Sequence, residues 1–254
     1  MFYGVPPARR EEFQRALATL ADIYKGEFYC NDMLICLWRN MSFLQDKKFM
    51  DCYREFASDD VEESLLWRLH TLAWAVKNSF LVEGDFVECG VFKGFCSAVV
   101  LKYVDFQNET RQAYLYDTFE GLPETTSTGE ERQIWEWDDT NSDGGQVTLY
   151  NKVCQKFSQY HNVKVIRGVV PDSFKQGVPE KIAFLHIDMN SEQAEMLALE
   201  HLFDKVTPGG IIVLDDFGWS CNANQMRSEM AFMNERRHPI LELPTGQGVV
   251  IKHA

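Results

Sequence analysis

The 254-residue chain has no run of about 18 apolar residues, the length that a membrane-spanning helix needs. Its first residues, MFYGVPPARR, lack the apolar segment of a signal peptide. Positive charge is scarce as well, because 25 Lys and Arg stand against 38 Asp and Glu and leave a formal net charge of −13. Such a surface repels phosphate backbones and anionic membranes. We therefore expect no nucleic-acid partner and no membrane span.

The seven cysteines lack the spacing of a zinc site or a redox motif. Their number is odd, and no two are arranged as CxxC. This usage predicts reduced thiols in a cytoplasmic protein rather than a disulfide framework. Internal repeats and low-complexity segments are absent too, and the length suits one α/β domain with a helical extension.

Residues 1–80 are predicted to form that helical extension. The runs 8–24 and 61–79 place apolar residues at the i, i+4, i+7 spacing of amphipathic helices. Residues 26–58 are rich in aromatic residues and cysteine and give no firm assignment. The simplest explanation of the apolar positions is packing on the rest of the chain. The same faces also suit a second copy, that is, a homo-oligomer.

Residues 81–254 are predicted to form the main domain, in which short β-rich runs alternate with helical ones. The strand-like runs are 85–91, 112–118, 163–168, 182–189 and 209–217, and the helical runs are 94–104, 146–160, 191–206 and 222–237. This alternation of apolar strands with helices is typical of a parallel sheet covered on both faces. Residues 239–253 contain two strand-like segments around Thr245-Gly-Gln-Gly248, which predict an antiparallel hairpin. The fold class is therefore α/β and Rossmann-like, with a hairpin at its end.

The connection 120–145 is unusually long for a segment between a strand and a helix. It contains Trp135 and Trp137, and aromatic side chains of this kind can hold either a sugar face or an aromatic ring. We interpret it as a lid or a wall of the substrate site. The alternative is a solvated acidic loop with two packed tryptophans.

The first strand-like run of the domain ends in Glu88-Cys-Gly-Val-Phe-Lys-Gly94, which differs from a dinucleotide-binding loop in lacking a third glycine. Gly90 and Gly94 allow a close backbone approach and an early start of the next helix. Glu88 would repel a pyrophosphate and suits a cationic ligand instead. Asp117, at the end of the next strand, is placed to bind a ribose diol. A ligand with a ribose, a cationic centre and no phosphate is S-adenosylmethionine.

Three neighbouring residues complete the candidate cofactor site. Thr118 and Phe119 directly follow Asp117 at the strand end. Lys93, within the glycine loop, is a candidate to shield the cofactor carboxylate, and its alternative is a solvated loop lysine.

Two later strands also end in acids. Asp188 ends one of them, and Asp215-Asp216 ends the next. Carboxylate oxygens of this kind suit Mg²⁺, Mn²⁺ or Ca²⁺ rather than zinc or copper. We therefore predict a divalent metal site at Asp188, Asp215 and Asp216. The alternative for an adjacent Asp pair is a turn or a helix cap.

Asp188, directly on or next to the predicted metal, is a candidate general base that could take a proton. His186 is the rival base, since it lies two residues earlier on the same strand and points to the same face. A histidine in a buried strand is more often hydrogen-bonded core. Asn190 is a candidate to contact the substrate or the metal, but an amide cannot accept a proton at neutral pH.

Several motifs together resemble those of the macrocin O-methyltransferase family, over roughly residues 60–253. They are VECGVFKG, YLYDTFEGLPE, LHIDMNSEQAEMLALEHLF, VTPGGIIVLDDFGW and LELPTGQGVVIK. The resemblance implies a seven-stranded class I methyltransferase fold, S-adenosylmethionine, a divalent metal and a sugar hydroxyl as acceptor. The sugar would belong to a glycan, a nucleotide sugar or a glycosylated natural product.

Carried over by motif, the cofactor positions of the family fall on Glu88, Gly90 and Asp117. Its metal positions fall on Asp188, Asp215 and Asp216, and its proton acceptor falls on Asp188. Many relatives carry a second acid where this chain has Asn190, so the family pattern does not identify the acceptor sugar.

Three other functions would use a site of this kind. A nicotinamide oxidoreductase predicts a third glycine and tolerance for a pyrophosphate, and the loop has neither. A metal-dependent O-methyltransferase of a catechol or another diol would use the same site. A non-catalytic protein that binds the cofactor remains the third alternative.

Overall fold

The computed structural model describes residues 5–25, 27–135 and 148–254. Within these ranges a seven-stranded sheet forms the centre of the molecule, in the order β5-β4-β3-β6-β7-β9-β8. Its strands are β3 (Asp85–Cys89), β4 (Ala113–Asp117), β5 (Val163–Arg167), β6 (Ile182–Ile187), β7 (Val206–Leu214), β8 (Leu241–Glu242) and β9 (Gly248–Ile251). Strands β3 to β7 are parallel, whereas β9 runs antiparallel to both β7 and β8. The sheet and its terminal hairpin confirm the predicted class I methyltransferase fold.

Helices cover both faces of the sheet. They are α1 (Arg10–Tyr24), α2 (Lys47–Phe56), α3 (Asp60–Ser64), α4 (Leu66–Ser79), α5 (Phe95–Tyr103), α6 (Gly129–Ile134), α7 (Leu149–Phe157), α8 (Glu192–Leu202) and α9 (Ala223–Glu235). Alternate strand residues enter opposite cores: Phe86 packs with α4 and α5, and its neighbour Val87 packs with α8 and α9. Because both faces are buried, the strands read as continuous apolar runs rather than as alternating ones.

The N-terminal segment is not helical throughout, which corrects the prediction for residues 1–80. Strands β1 (Phe28–Asn31) and β2 (Leu34–Leu37) form an antiparallel hairpin within the unassigned part. Its two turn residues, Asp32 and Met33, both have positive φ angles of 48° and 58°. The predicted helix over 61–79 is divided at Leu65 into α3 and α4.

All seven cysteines are free thiols, as their spacing predicts. In the described part of the chain, no helix combines the length and the apolar character needed to cross a membrane.

Candidate active site

The carboxyl ends of β3, β4, β6 and β7 meet at one cavity of about 580 Å³. The acids predicted at these strand ends all line it, namely Glu88, Asp117, Asp188, Asp215 and Asp216. The N-terminal segment closes another side with Asp32 and Arg68, and aromatic walls come from Trp135 and Trp219. A cavity of this size, at the carboxyl edge of an open α/β sheet, is where such folds bind their ligands.

The two glycines of the loop that follows β3, Gly90 and Gly94, are needed for different structural reasons. Gly90 has a φ of 95°, and a Cβ atom there would lie 1.6 Å from the carbonyl oxygen of Asp188. Gly94 has a φ of 70°, and a Cβ atom there would lie 2.9 Å from the Phe157 ring. Gly90 therefore lets β3 and β6 end side by side, while Gly94 lets α7 pack against the start of α5.

Asp117 organises the loop that faces the cavity. Its carboxylate accepts hydrogen bonds from the Phe92 amide at 2.8 Å and from the Phe119 amide at 2.5 Å. Both of those residues have left-handed backbone angles, so the carboxylate stabilises two turns that such side chains rarely adopt. Burial raises the pKa of Asp117, and the amides of Phe92 and Phe119 oppose that rise. A carboxylate can accept about four hydrogen bonds, which leaves acceptor capacity for a ribose.

The two residues that follow Asp117 have different environments, because Thr118 lines the cavity wall and Phe119 packs in the core. Thr118 lines the cavity and donates a hydrogen bond to the Gly121 carbonyl at 2.7 Å. The Phe119 side chain is buried and packs against the Tyr150 ring, with centroids 5.3 Å apart. The structure therefore assigns the Phe119 side chain to the core and its backbone to the loop.

Glu88 is 4% exposed and already has two partners. One carboxylate oxygen accepts from His186 Nδ1 at 3.0 Å, and the other accepts from the Ser97 hydroxyl. Lys93, predicted beside the cofactor, also lines the cavity, and its ammonium contacts Asp59 Oδ2 at 2.8 Å.

His186 lies between two carboxylates and is 1% exposed. Its Nε2 lies 3.3 Å from Asp215 Oδ1, while Nδ1 contacts Glu88. Burial lowers the pKa of the imidazole, but the hydrogen bonds to Asp215 and Glu88 outweigh it and raise the pKa well above its usual value. Both ring nitrogens are engaged, so His186 links Glu88 on β3 to Asp215 at the end of β7.

The Asp188 carboxylate lines the cavity and, unlike those of the other strand-end acids, accepts no hydrogen bond from a described residue. Burial, together with the charges of Asp215 and Asp216, raises its pKa well above the usual range. Burial and Asp215 raise the pKa of Asp216 to about 6, against the opposing effect of Arg68. Asp215 behaves differently: burial opposes its ionisation, but Arg68, His186 and Gln247 lower its pKa.

These acids fit a divalent cation. Among the described residues, ligand atoms of His186, Asp188 and Asp215 lie within 4.8 Å of one another. Both ring nitrogens of His186 are already engaged, so the carboxylates of Asp188 and Asp215 are the donors that fit a cation. Asp216, the third predicted ligand, contacts Arg68 Nη1 at 3.2 Å, and Asp215 contacts the same nitrogen. Oxygen donors of this kind suit Mg²⁺, Mn²⁺ or Ca²⁺.

Arg68, which the sequence reasoning missed, is a buried cation at the same place. It is 4% exposed and contacts Asp32 Oδ2 at 2.8 Å through Nε. Its Nη1 contacts the Asp215 carboxylate, Asp216 Oδ1 and the Asp215 carbonyl oxygen. The guanidinium also lies over the Trp219 ring at 5.1 Å. An arginine within an amphipathic helix gives no sequence signal of such a role.

The predicted substrate residues lie on the cavity wall where the structure describes them. Asn190 has a φ of 54°, and its Oδ1 is buried with no hydrogen-bond partner among the described residues. Trp135 lines the cavity, and Trp137 lies outside the described residues.

The described half of the predicted lid is ordered by α6. Thr128 and Glu131 form a capping box at the start of this helix. Glu131 Oε1 also accepts a hydrogen bond from the Glu192 amide at 2.9 Å, which ties the lid to α8. The S/T-x-x-E pattern was available in the sequence as a signal for α6.

A second feature missed from the sequence is a buried pair of carboxyls behind the Asp188 turn. Glu195 accepts a hydrogen bond from the Met189 amide at 3.0 Å and another from Gln225 at 2.9 Å. Glu229 is fully buried beside it, and burial raises the pKa of Glu229 to about 7.

Comparisons with known proteins show which family the sequence matches. A family model described as macrocin-O-methyltransferase (TylF) matches residues 51–244. The 8-demethyl-8-(2,3-dimethoxy-alpha-L-rhamnosyl)-tetracenomycin-C 4'-O-methyltransferase of Streptomyces olivaceus is 26% identical over 163 residues, which cover 60% of this chain and 60% of that protein. Mycinamicin III 3''-O-methyltransferase of Micromonospora griseorubida is 28% identical over 171 residues, covering 59% and 62%. The chain thus spans about three fifths of the length of these relatives.

Solved structures share the fold at lower identity. The O-methyltransferase NovP gives a TM-score of 0.62 at 17% identity, with 95% of this chain and 99% of that chain covered. CalS11, a TDP-rhamnose 3'-O-methyltransferase, gives 0.53 at 16% identity, with 98% and 96% covered.

Proposed function

The chain belongs to the macrocin O-methyltransferase family, and we propose on that premise that it transfers a methyl group from S-adenosylmethionine to a sugar hydroxyl. The observation that carries the proposal is the convergence of Glu88, Asp117, Asp188 and Asp215 on one cavity. The two curated relatives are named as the 4'-O-methyltransferase of a rhamnosyl-tetracenomycin C and as the 3''-O-methyltransferase of mycinamicin III. We extend that substrate class to this chain: a glycosylated natural product, a glycan or a nucleotide sugar.

The cofactor end of the cavity is the β3 loop with Asp117. The carboxylate of Asp117 is fixed by two backbone amides, so it can accept hydrogen bonds from a ribose without rearranging. Glu88 lies beneath the loop, where both of its carboxylate oxygens are hydrogen-bonded, to His186 and to Ser97. The carboxylate of Asp117 favours a sulfonium ligand over a pyrophosphate.

Asp188 is the proposed proton acceptor. In the reaction, the acceptor oxygen bonds to the methyl carbon as the S–CH₃ bond breaks, and the hydroxyl proton passes to the Asp188 carboxylate. A pKa raised by burial and by Asp215 makes Asp188 a stronger base than an exposed aspartate. Alignment of the two reactants in the closed cavity supplies part of the rate enhancement.

Asp188, Asp215 and Asp216 are the proposed ligands of a divalent cation, Mg²⁺ or else Mn²⁺ or Ca²⁺. A bound cation would stabilise the negative charge that develops on the acceptor oxygen. The proposal for the cation is separate from the proposal for methyl transfer and is tested separately.

The test is formation of S-adenosylhomocysteine with a panel of acceptors: TDP-rhamnose, a rhamnosylated polyketide, free rhamnose and catechol. We expect turnover with a glycosidic acceptor and a mass increase of one methyl group on the product. Asp188→Asn should lower kcat by about 100-fold or more. Asp204→Asn, an exposed acid at the end of α8, is the control and should not change the rate.

The outcomes separate the alternatives. Turnover with catechol alone would replace the sugar acceptor by a diol. Binding of S-adenosylmethionine without turnover of any acceptor would support a non-catalytic protein. Turnover that EDTA leaves unchanged would remove the cation from the proposal and keep the methyl transfer.

A further inference from the structure

Arg68 binds the carboxylates that are the proposed cation ligands. Its Nη1 contacts both Asp215 and Asp216, and each of these side chains is buried. A guanidinium and a divalent cation are both attracted by the same carboxylate oxygens, and at short range they repel each other. The two charges therefore compete for Asp215 and Asp216.

Asp32, in the β1–β2 turn, is a second carboxylate partner of the Arg68 guanidinium besides the two acids that follow β7. Nε of Arg68 donates to Asp32 Oδ2 at 2.8 Å, so one side chain bridges the β1–β2 turn and the end of β7. The contact with Asp32 is therefore already in place and does not depend on the contacts with β7.

The hairpin turn is strained in order to present Asp32. Its two central residues, Asp32 and Met33, both have left-handed φ angles, yet neither is glycine. Met33 is 46% exposed. Asp32, by contrast, is 5% exposed and faces Arg68 in the cavity. Backbone strain of this kind is retained where a side chain has a specific place to occupy.

We propose that Arg68 is an internal competitor of the divalent cation and that Asp32 is the residue that draws it away. When the cation binds Asp188, Asp215 and Asp216, the guanidinium withdraws onto Asp32 and the Trp219 face. Arg68 and Asp32 are thus positioning residues that set the cation affinity. This inference rests on the proposed metal site, but it is tested by binding alone.

The experiment is titration of the EDTA-stripped protein with Mn²⁺, followed by electron paramagnetic resonance and by calorimetry, without cofactor or acceptor. Arg68→Met removes the competing charge, and we expect its Mn²⁺ dissociation constant to fall by about tenfold or more. Asp32→Asn leaves Arg68 on Asp215 and Asp216, and we expect the dissociation constant to rise by about threefold or more. A merely structural role for both residues would weaken Mn²⁺ binding in both variants.

Arg111→Met is the matched control. Arg111 is a half-buried arginine, which donates to the carbonyl oxygens of Ser79, Phe80 and Gly84 and has no contact with the acids of the site. Its loss should lower the melting temperature and leave Mn²⁺ affinity unchanged. The comparison separates loss of a hydrogen-bonded arginine from loss of the competing charge.

Tighter binding by Arg68→Met with weaker binding by Asp32→Asn supports the inference. Equal or weaker binding by folded Arg68→Met overturns it, as does an unchanged Asp32→Asn. If Arg68→Met does not fold because three acids lose their counter-charge, Arg68→Lys decides in its place. Lysine keeps the charge but lacks the planar fork that contacts Asp215 and Asp216, so the inference predicts tighter Mn²⁺ binding and a structural role predicts weaker binding. A wild-type protein that methylates sugars but binds no Mn²⁺ at millimolar concentration overturns this inference and leaves the proposed methyl transfer intact.

Discussion

A Cβ atom on Gly90 would lie 1.6 Å from the carbonyl oxygen of Asp188. The ends of β3 and β6 are therefore in contact at this glycine, with no room for any side chain between the cofactor loop and the proposed base. From the sequence, Gly90 was predicted to allow a ligand to approach the backbone. In the structure, the end of the neighbouring strand β6 already requires a glycine at this position.

Gly90→Ala should consequently destabilise the protein and displace Asp188. We expect a loss of about 3 kcal/mol or more in the free energy of unfolding, because the clash is with backbone and adds to an unfavourable φ. Gly121→Ala is the control, since Gly121 also has a positive φ of 81° but no atom within 4 Å of the added Cβ. That variant should lose only about 1 kcal/mol. Urea unfolding measures both, and equal losses would contradict the role of the strand contact.

The sheet was predictable from the sequence because buried parallel strands are continuous in apolar residues. The glycine loop after β3 and the acids that end β4, β6 and β7 are short, local signals at positions that the sheet brings together. Asp117, Asp188 and Asp215 therefore meet at one cavity by topology alone.

What the sequence did not predict depends on long-range contacts. Arg68 is 147 residues from Asp215, and its helix reads as an ordinary amphipathic pattern. The β1–β2 turn lacks the Asn-Gly or Asp-Gly pair that marks such hairpins, because Asp32 and Met33 adopt left-handed angles without glycine. Glu195 and Glu229 lie on different helices and meet only after α8 and α9 pack.

The buried carboxyl of Glu229 should make stability fall as pH rises. Burial raises its pKa from 4.5 to about 7 in the folded protein, so between these pH values the folded state keeps a proton that the unfolded state has lost. The free energy of unfolding then decreases as pH rises through that window.

Glu229→Gln removes this titration and keeps the shape of the side chain. We expect the variant to gain about 2 kcal/mol relative to the wild type between pH 5 and pH 8. Thermal and urea unfolding over this pH range measure the difference. Glu235→Gln, an exposed position at the end of the same helix, is the control. A constant difference across the range would show that Glu229 does not hold a proton in the folded state.

Trp135 should contribute to acceptor binding, because it lines the cavity at the end of α6. Its ring offers a flat apolar face to a sugar or an aromatic acceptor, and such contacts are worth about 1 kcal/mol. Trp135→Ala should therefore raise KM for the acceptor about fivefold, with a smaller change in kcat. Trp74→Ala, on the exposed side of α4, is the control and should leave both constants unchanged. Initial rates at saturating S-adenosylmethionine measure the effect.

Asn190 lies at a position whose backbone accepts an acid as readily as an amide. Its left-handed φ of 54° is tolerated by Asp as well as by Asn, and its Oδ1 has no hydrogen-bond partner among the described residues. Asn190→Asp should therefore fold normally and place a further negative charge two residues from Asp188.

The added charge should raise the pKa of Asp188 further, because Asp215 and Asp216 already raise it in the same way. Since the base must be ionised to accept a proton, the acidic limb of the kcat/KM profile should move to higher pH by about 1 unit when no divalent cation is added. Mn²⁺ should reverse much of this shift, because a bound cation compensates both carboxylates. Asn190→Ala adds no charge and serves as the control. An acidic limb that stays in place in Asn190→Asp would indicate that the proton acceptor is a group other than Asp188.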